Sequence, residues 1–258
     1  MDVDSVSDVG IGVVYEQFML NRLLCRIAKE NGVASALEFP LRGMAGLTGI
    51  NSIGLADMGV RVTLADKEEH IATAKAAWQK AKRKANLVEI ETGKLPFGNS
   101  EFDLSYNFAA LWHLGNPEAV IGEMCRVSRN VVLVCMPNPL NPVFQARRFA
   151  GMLPAGHAWA DNRRIARGLE DNGFTVVEKG LLDIPPWPDT VVPIKKLVPF
   201  GKGKKGAWRW SMLDYYSGKS PGLKEKAERF AFIEDSSLPR FVKALWAHHA
   251  YVVAKRKD

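Results

Sequence analysis

Short apolar runs alternate with amphipathic ones along most of this chain, and that rhythm limits the possible folds more than any other feature. "VASALEF" (33–39), "VRVTLAD" (60–66), "LVEIE" (87–91), "EFDLSYN" (101–107), "NVVLVCM" (130–136), "FTVVEKGLLD" (174–183) and the closing "AYVVAKRK" read as strands. Between and before them, residues 15–31, 51–58, 67–84, 117–128, 161–173 and 238–249 place apolar side chains on one helical face. "NVVLVCM" is apolar without interruption, as a strand covered on both faces would be. Strands and helices in this alternation predict an α/β fold with a doubly wound, Rossmann-like sheet of seven strands, mostly parallel.

Punctuation agrees with the pattern. Gly32 and Gly173 stand where helices should end, and Asn116-Pro117 is a cap followed by proline at the first helical position. Residues 185–236 break the rhythm with six prolines and the basic run "GKGKK". The expected organisation is therefore an N-terminal helical segment (1–32), a sheet domain built from 33–184 and 237–258, and a basic, aromatic lid insertion over 185–236.

Charge and cysteines narrow the setting. Residues 1–194 hold 20 Lys and Arg against 22 Asp and Glu, a balance of −2; residues 195–258 hold 15 against 6, a balance of +9, so the overall +7 resides in the last quarter. Cys25, Cys125 and Cys135 are far apart and odd in number, each within an apolar segment, as buried thiols in a reducing cytosol would be. The acidic start "MDVDSVSDVG" lacks a signal-peptide pattern, and no apolar run approaches the roughly 18 residues of a membrane span. A cytoplasmic protein, with a possible peripheral association to a membrane, is the expectation.

Open parallel sheets bind ligands beyond the carboxyl ends of their strands. After the first strand, Gly43, Gly46 and Gly49 recur every third residue, which differs from the dinucleotide fingerprint G-x-G-x-x-G. A glycine-rich turn lets a ligand approach the backbone, and an acid ending the second strand, here Asp66, suits a ribose diol. These residues point to a nucleoside-containing cofactor.

The stretch "LPFGNSEFDLSYNFAALWHLGNPEAVIGEMCRVSRNVVLVCMPN" (95–138), together with "LEF…TGINS…VRVTLAD", resembles the class I S-adenosylmethionine-dependent methyltransferases, in particular the ubiquinone and small-molecule methylase group. The resemblance implies S-adenosylmethionine as cofactor, S-adenosylhomocysteine as product, and an antiparallel last strand. It implies that Glu38 organises the loop near the methionine amino end, that Gly43, Gly46 and Gly49 pass along methionine and ribose, and that Asp66 holds the ribose hydroxyls. Glu91 and Thr92 would face the adenine, Asn107 would offer its carbonyl to the methionine amino group, and Tyr15 would fold over the methyl donor. In this sequence Pro40 stands where the family's first glycine does, and "LRGMAG" lengthens the turn. Proline removes an N–H donor, so backbone contacts in the loop must be redistributed.

Methyl transfer from a sulfonium needs alignment and, for some acceptors, a base. His113, just past the fourth strand, is either that base or a packing residue at a helix cap. His157 in "PAGHAW" is either an acceptor-pocket residue or an ordinary loop residue. His248 and His249 would face opposite ways on one strand, so no metal site is expected there, and no Cys/His/Asp spacing suggests zinc. In the insertion, Lys195, Lys196, Lys202, Lys204, Lys205 and Arg209 interleave with Phe200, Trp208, Trp210, Tyr215 and Tyr216. That composition suits a lid with a solvated basic edge, or a surface over 195–216 for an anionic membrane or a protein partner. Nucleic acid ranks below these, because no RNA-binding module accompanies the patch. The expected function is methyl transfer to a small-molecule or lipid-like acceptor, at oxygen or carbon. The rival reading is a methyltransferase-like binding or assembly subunit without activity; a nicotinamide-dependent oxidoreductase fits the glycine spacing poorly.

Overall fold

The computed structural model describes residues 10–42, 47–91, 94–187 and 210–257. Its strands are β1 (Ser35–Glu38), β2 (Arg61–Asp66), β3 (Asn86–Glu89), β4 (Phe102–Phe108), β5 (Ser128–Pro137), β6 (Phe174–Leu182) and β7 (His249–Arg256). They form a single seven-stranded sheet in the order β3-β2-β1-β4-β5-β7-β6. Pairs from β3 to β5 are parallel, whereas β7 runs antiparallel between β5 and β6. The expected doubly wound sheet with an antiparallel last strand is therefore present.

The strand order reverses between β1 and β4, which opens a crevice at their carboxyl ends. The helices before and between the strands are α1 (Ile11–Glu30), α2 (Ile53–Asp57), α3 (Glu68–Lys80), α4 (Pro117–Val127), α5 (Pro142–Phe149) and α6 (Asn162–Asp171). Alternate residues of the central strands feed two apolar layers. Leu104, Tyr106, Leu133 and Val253 pack with α1, α2 and α3, whereas Val132, Val134, Val252 and Ala254 pack with α4 and α6. Because β5 is covered on both faces, its uninterrupted apolar run has nowhere to meet water.

Two short helices follow in the proline-rich region, α7 (Met212–Tyr216) and α8 (Leu223–Glu228), and α9 (Arg240–Trp246) precedes β7. Met212, Leu213, Tyr216, Leu223 and Ala227 are buried in the same layer as α1. The Tyr216 hydroxyl accepts a hydrogen bond from Asn21 Nδ2 at 2.5 Å, and Tyr215 meets Phe18 edge-on. The described part of the proposed lid thus shares the main core with α1. The basic residues Lys195 to Arg209 lie outside the described residues, as does the N-terminal stretch 1–9. Among the described residues, no helix is long and apolar enough to cross a membrane.

Candidate functional site

Glu38 ends β1 with its carboxylate buried, and a buried carboxylate must be hydrogen-bonded or neutralised. Three donors meet it: Asn51 Nδ2 at 2.8 Å, Ser52 Oγ at 2.7 Å and the Tyr106 hydroxyl at 2.7 Å. Gln17 of α1 donates in turn to Asn51 Oδ1 at 2.7 Å. Burial pushes the Glu38 carboxyl above its ordinary range despite those donors, and the nearby Asp66 charge adds to the rise. Burial and the Glu38 charge raise the Tyr106 hydroxyl in the same way. One acid therefore fixes the end of the glycine turn, the start of α2 and the end of β4.

Asp66 ends β2, and its carboxylate is engaged by the chain itself. Oδ2 accepts from Leu41 N at 2.7 Å and Arg42 N at 3.3 Å, and Oδ1 accepts from Lys67 N at 2.7 Å. His70 Nδ1, one turn into α3, stands 3.1 Å from the same Oδ2. These are the contacts that the lengthened turn redistributes after Pro40. Gly49 closes the turn with φ +79°, and a β-carbon there would stand 2.6 Å from that of Ala74. Its carbonyl accepts from Trp78 Nε1 at 2.6 Å, so α3 grips the far end of the turn. Gly49 is thus required by backbone conformation and by close packing.

The remaining expected cofactor residues divide into two groups. Asn107 is buried at the end of β4; its Oδ1 accepts from Ala110 N at 3.3 Å, and its Nδ2 reaches Phe39 O at 3.4 Å. Glu91 is exposed just beyond β3. Gly43, Gly46 and Thr92 lie outside the described residues.

Beyond the end of β4, a 3₁₀ turn at Leu111–His113 packs on a second at Ala155–Ala160. A β-carbon on Gly156 would overlap the Trp112 carbonyl, so only glycine permits this approach. The two turns bring the His113 and His157 segments together at the end of β4. His113 reaches solvent, and partial burial, followed by the Arg42 charge, holds it below the ordinary histidine value. His157 Nδ1 lies 3.1 Å from Pro154 O. Tyr15 is fully buried in α1; its hydroxyl donates to Glu234 at 2.9 Å and its ring meets Trp187 edge-on at 5.6 Å.

His248 and His249 depart from expectation. Both approach Asp183, because His248 precedes β7 and the alternation of strand side chains does not bind it. Away from these groups, a depression lined by Ser35, Arg61, Thr63, Arg83, Lys84 and Asn86 opens at the amino-terminal edge of the strands, opposite the crevice.

Residues 44–135 match a family model described as a methyltransferase domain. Compared with curated proteins, the sequence has no significant match. Among solved structures, the chain is similar to a protein from Bacillus halodurans described as a methyltransferase, at 15% identity and a TM-score of 0.54, over 92% of this chain and 98% of that one. It is similar to magnesium protoporphyrin IX methyltransferase from Synechocystis with bound S-adenosylhomocysteine, at 12% identity and TM-score 0.56, over 96% and 86% of the two chains. The [4+2]-cyclase SpnF is another neighbour, at 15% identity and TM-score 0.53, over 92% of this chain and 81% of that one. The matched methyltransferase domain runs from residue 44 to residue 135, within a seven-stranded Rossmann-like sheet of the order these neighbours share. Identities this low carry the fold and leave the acceptor open.

Proposed function

We propose that the chain transfers a methyl group from S-adenosylmethionine to a small-molecule or lipid-like acceptor, at oxygen or carbon. The observation that carries this reading is where the matched segment falls. It begins in the glycine turn and ends in β5, spanning the strand ends that bear Asp66 and Asn107 and adjoining Glu38. The donor set fits a nucleoside-bearing cofactor: two acids and a buried amide gather where parallel strands end at the switch point.

Bound S-adenosylmethionine supplies a methyl group already activated by its sulfonium. The chain's own tasks are alignment, water exclusion and removal of an acceptor proton. Glu38 keeps the turn and α2 in place through Asn51 and Ser52. Asp66 Oδ1 has one lone pair left for a ribose hydroxyl, and Oδ2 can take another if Leu41 and Arg42 withdraw. Glu91 adjoins the adenine side, Gly49 closes the turn and Asn107 marks the methionine end, while Thr92, Gly43 and Gly46 keep the roles that the resemblance implies. A ring nitrogen of His113 is the proton acceptor, because a histidine held below its ordinary value is neutral at pH 7. His157 belongs to the acceptor wall, whereas Tyr15, fully buried with its hydroxyl on Glu234, packs in the core beneath α1 and supports that end of the sheet.

A lipid-like acceptor draws support from the rim. Asn138 and Asn141 donate to the carbonyls of Ala244, Trp246 and Ala247, joining the start of α5 to the end of α9. Leu140, Leu245 and Trp246 beside that joint are exposed, as are Phe149 and Phe241 on the same two helices, side chains that suit a lipid chain or a membrane face.

Calorimetric titration with S-adenosylmethionine and S-adenosylhomocysteine tests the reading. Micromolar binding of both supports it. A folded protein that binds neither would favour the second reading, a non-catalytic binding subunit. The closure of Asp66 on Leu41 and Arg42 is the observation on that side.

A further inference from the structure

We infer that Glu16, Asp183 and His249 form a buried site for one divalent first-row transition cation of the zinc type, which pins α1 to the β6–β7 end of the sheet. The site does not depend on methyl transfer. Glu16 comes from α1, Asp183 follows β6 and His249 opens β7. One ring nitrogen and one oxygen from each carboxylate lie within 4.8 Å of one another, and all three residues are buried.

The spacing suits a shared ion better than hydrogen bonds. His249 Nε2 is 3.8 Å from Glu16 Oε2, and His249 Nδ1 is 3.7 Å from Asp183 Oδ2. Both exceed hydrogen-bond range. Two ligands about 2.1 Å from one tetrahedral ion stand roughly 3.4 Å apart, so a small side-chain shift would complete coordination. The His249 ring is 1% exposed, and neither of its nitrogens has a hydrogen-bond partner among the described residues; the same holds for Asp183 Oδ1. Buried polar atoms seldom remain unmatched, and here both nitrogens of a buried imidazole do, with a carboxylate oxygen near each of them.

Charge argues the same way. Glu16 and Asp183 are buried, and the half-buried Glu234, which accepts hydrogen bonds from the Tyr15 hydroxyl and Ile184 N, is raised in part by the Asp183 charge. Carboxyl groups gathered round one imidazole in a desolvated place are a setting that a divalent ion stabilises. His248 Nδ1, 2.8 Å from Asp183 Oδ2, supplies the outer partner that commonly orients a ligating carboxylate. Phe108 covers the other side, its ring centroid 4.9 Å from that of His249.

The donor set selects the ion class. One imidazole with two carboxylates suits Zn²⁺, Mn²⁺ or Fe²⁺; Mg²⁺ and Ca²⁺ prefer oxygen alone, and copper(I) prefers sulfur. Three ligands leave a fourth tetrahedral position, which the second oxygen of either carboxylate would fill, and burial of all three residues keeps substrate from the ion, so the site is structural. The pin would join three segments remote in sequence.

The test uses the full chain, purified without a polyhistidine tag, loaded separately with Zn²⁺, Mn²⁺ and Mg²⁺, desalted and analysed for bound metal. The expected result is about one equivalent of Zn²⁺ or Mn²⁺ and no Mg²⁺. The bound ion should raise Tm reversibly on chelation. His249→Gln should lose the metal and the Tm response together. Should that variant not fold, Co²⁺ loading of the wild type decides alone, because an imidazole–carboxylate site shows tetrahedral visible absorption. Folded wild type with metal at background level, or metal retained in folded His249→Gln, overturns the inference.

Discussion

Asp66 Oδ2 accepts the Leu41 N–H at 2.7 Å and the Arg42 N–H at 3.3 Å, so a ribose diol would compete with the turn for one carboxylate. Asp66→Asn tests both roles at once. The amide keeps an acceptor but presents an NH₂ to donors, and we expect cofactor affinity to fall by about 1–3 kcal/mol, roughly 5- to 150-fold. Because the turn loses its clasp too, amide exchange at Leu41 should accelerate in the free protein. Calorimetry and hydrogen exchange read the two effects. Unchanged affinity would remove Asp66 from the cofactor site, and unchanged exchange would show that the clasp does not hold the turn. The acid itself was legible in the sequence, since it ends a β-branched strand at the place a ribose requires. Its engagement by Leu41 and Arg42 was not, because the path of a lengthened turn after Pro40 depends on tertiary packing against Ala74 and Trp78. Glu16, Asp183 and His249 left even less trace: they sit on three remote elements with no ligand spacing between them, and the expectation that His248 and His249 diverge applied strand geometry to a residue outside the strand.

At the scale of elements, Asp103 of β4 secures the amino-terminal edge of the sheet. Its Oδ2 accepts from Ala34 N at 3.0 Å, Ser35 N at 3.0 Å and Ser35 Oγ at 2.9 Å, and its Oδ1 meets Arg129 of β5 at 2.9 Å. Burial alone would raise this carboxyl. The donors of Ala34 and Ser35, with Arg129, outweigh that and hold it below the ordinary value. A carboxyl depressed in the folded state stabilises above its unfolded value, near 3.9, and that stability is lost as pH falls through the folded value. Asp103→Asn should therefore lower the unfolding free energy at pH 7 by about 1–3 kcal/mol. The gap between wild type and variant should narrow below about pH 4, where protonated Asp103 resembles the amide. Urea titrations at pH 7 and pH 3 check this; an equal gap at both would assign the loss to geometry rather than charge. The same scale shows why most strands and helices could be read ahead while α5 could not. Asn141 and Pro142 repeat the cap-and-proline signal of Asn116 and Pro117, and Asn141 Oδ1 does accept from Val143 N at 2.8 Å. Yet α5 exposes Phe149 and buries only Phe144, so its apolar pattern is weak. Helices α7 and α8 lie among prolines and are only five and six residues long, below what periodicity resolves.

For the molecule as a whole, α1 decides whether the expected division at residue 32 marks an appendage or part of the core. The sequence shows one apolar face on this helix, which fits either case. In the structure Val14, Tyr15, Phe18, Met19, Leu20, Leu23, Leu24, Ile27 and Ala28 are all buried, facing α2, α7, α8 and the sheet. Two bonds reinforce the packing. Arg26 pairs with Glu178 of β6 at 2.7 Å, a link open enough to water to contribute little, and Gln17 joins the Glu38 network. Burying a large apolar side chain contributes about 1.5–3 kcal/mol. Even if the unfolded chain already hides a third of that surface, losing this face would remove roughly 10 kcal/mol, against a net stability of about 5–15 kcal/mol for a domain. A chain beginning at residue 33 should therefore fail to fold cooperatively, with loss of a sigmoidal urea transition and of near-ultraviolet circular dichroism. Adding a synthetic peptide of residues 10–32 should restore some of that signal, because the receiving groove is built from elements that remain. If the truncated chain instead melts cooperatively with its far-ultraviolet signal intact, α1 is an appendage, and Glu38 must keep its burial without Gln17 and the helix above it. The outcome also bears on the crevice. Glu38, Asn51 and Gln17 form one connected network, so a chain that folds without α1 should bind S-adenosylmethionine more weakly than the intact protein even though Asp66 and Asn107 are untouched.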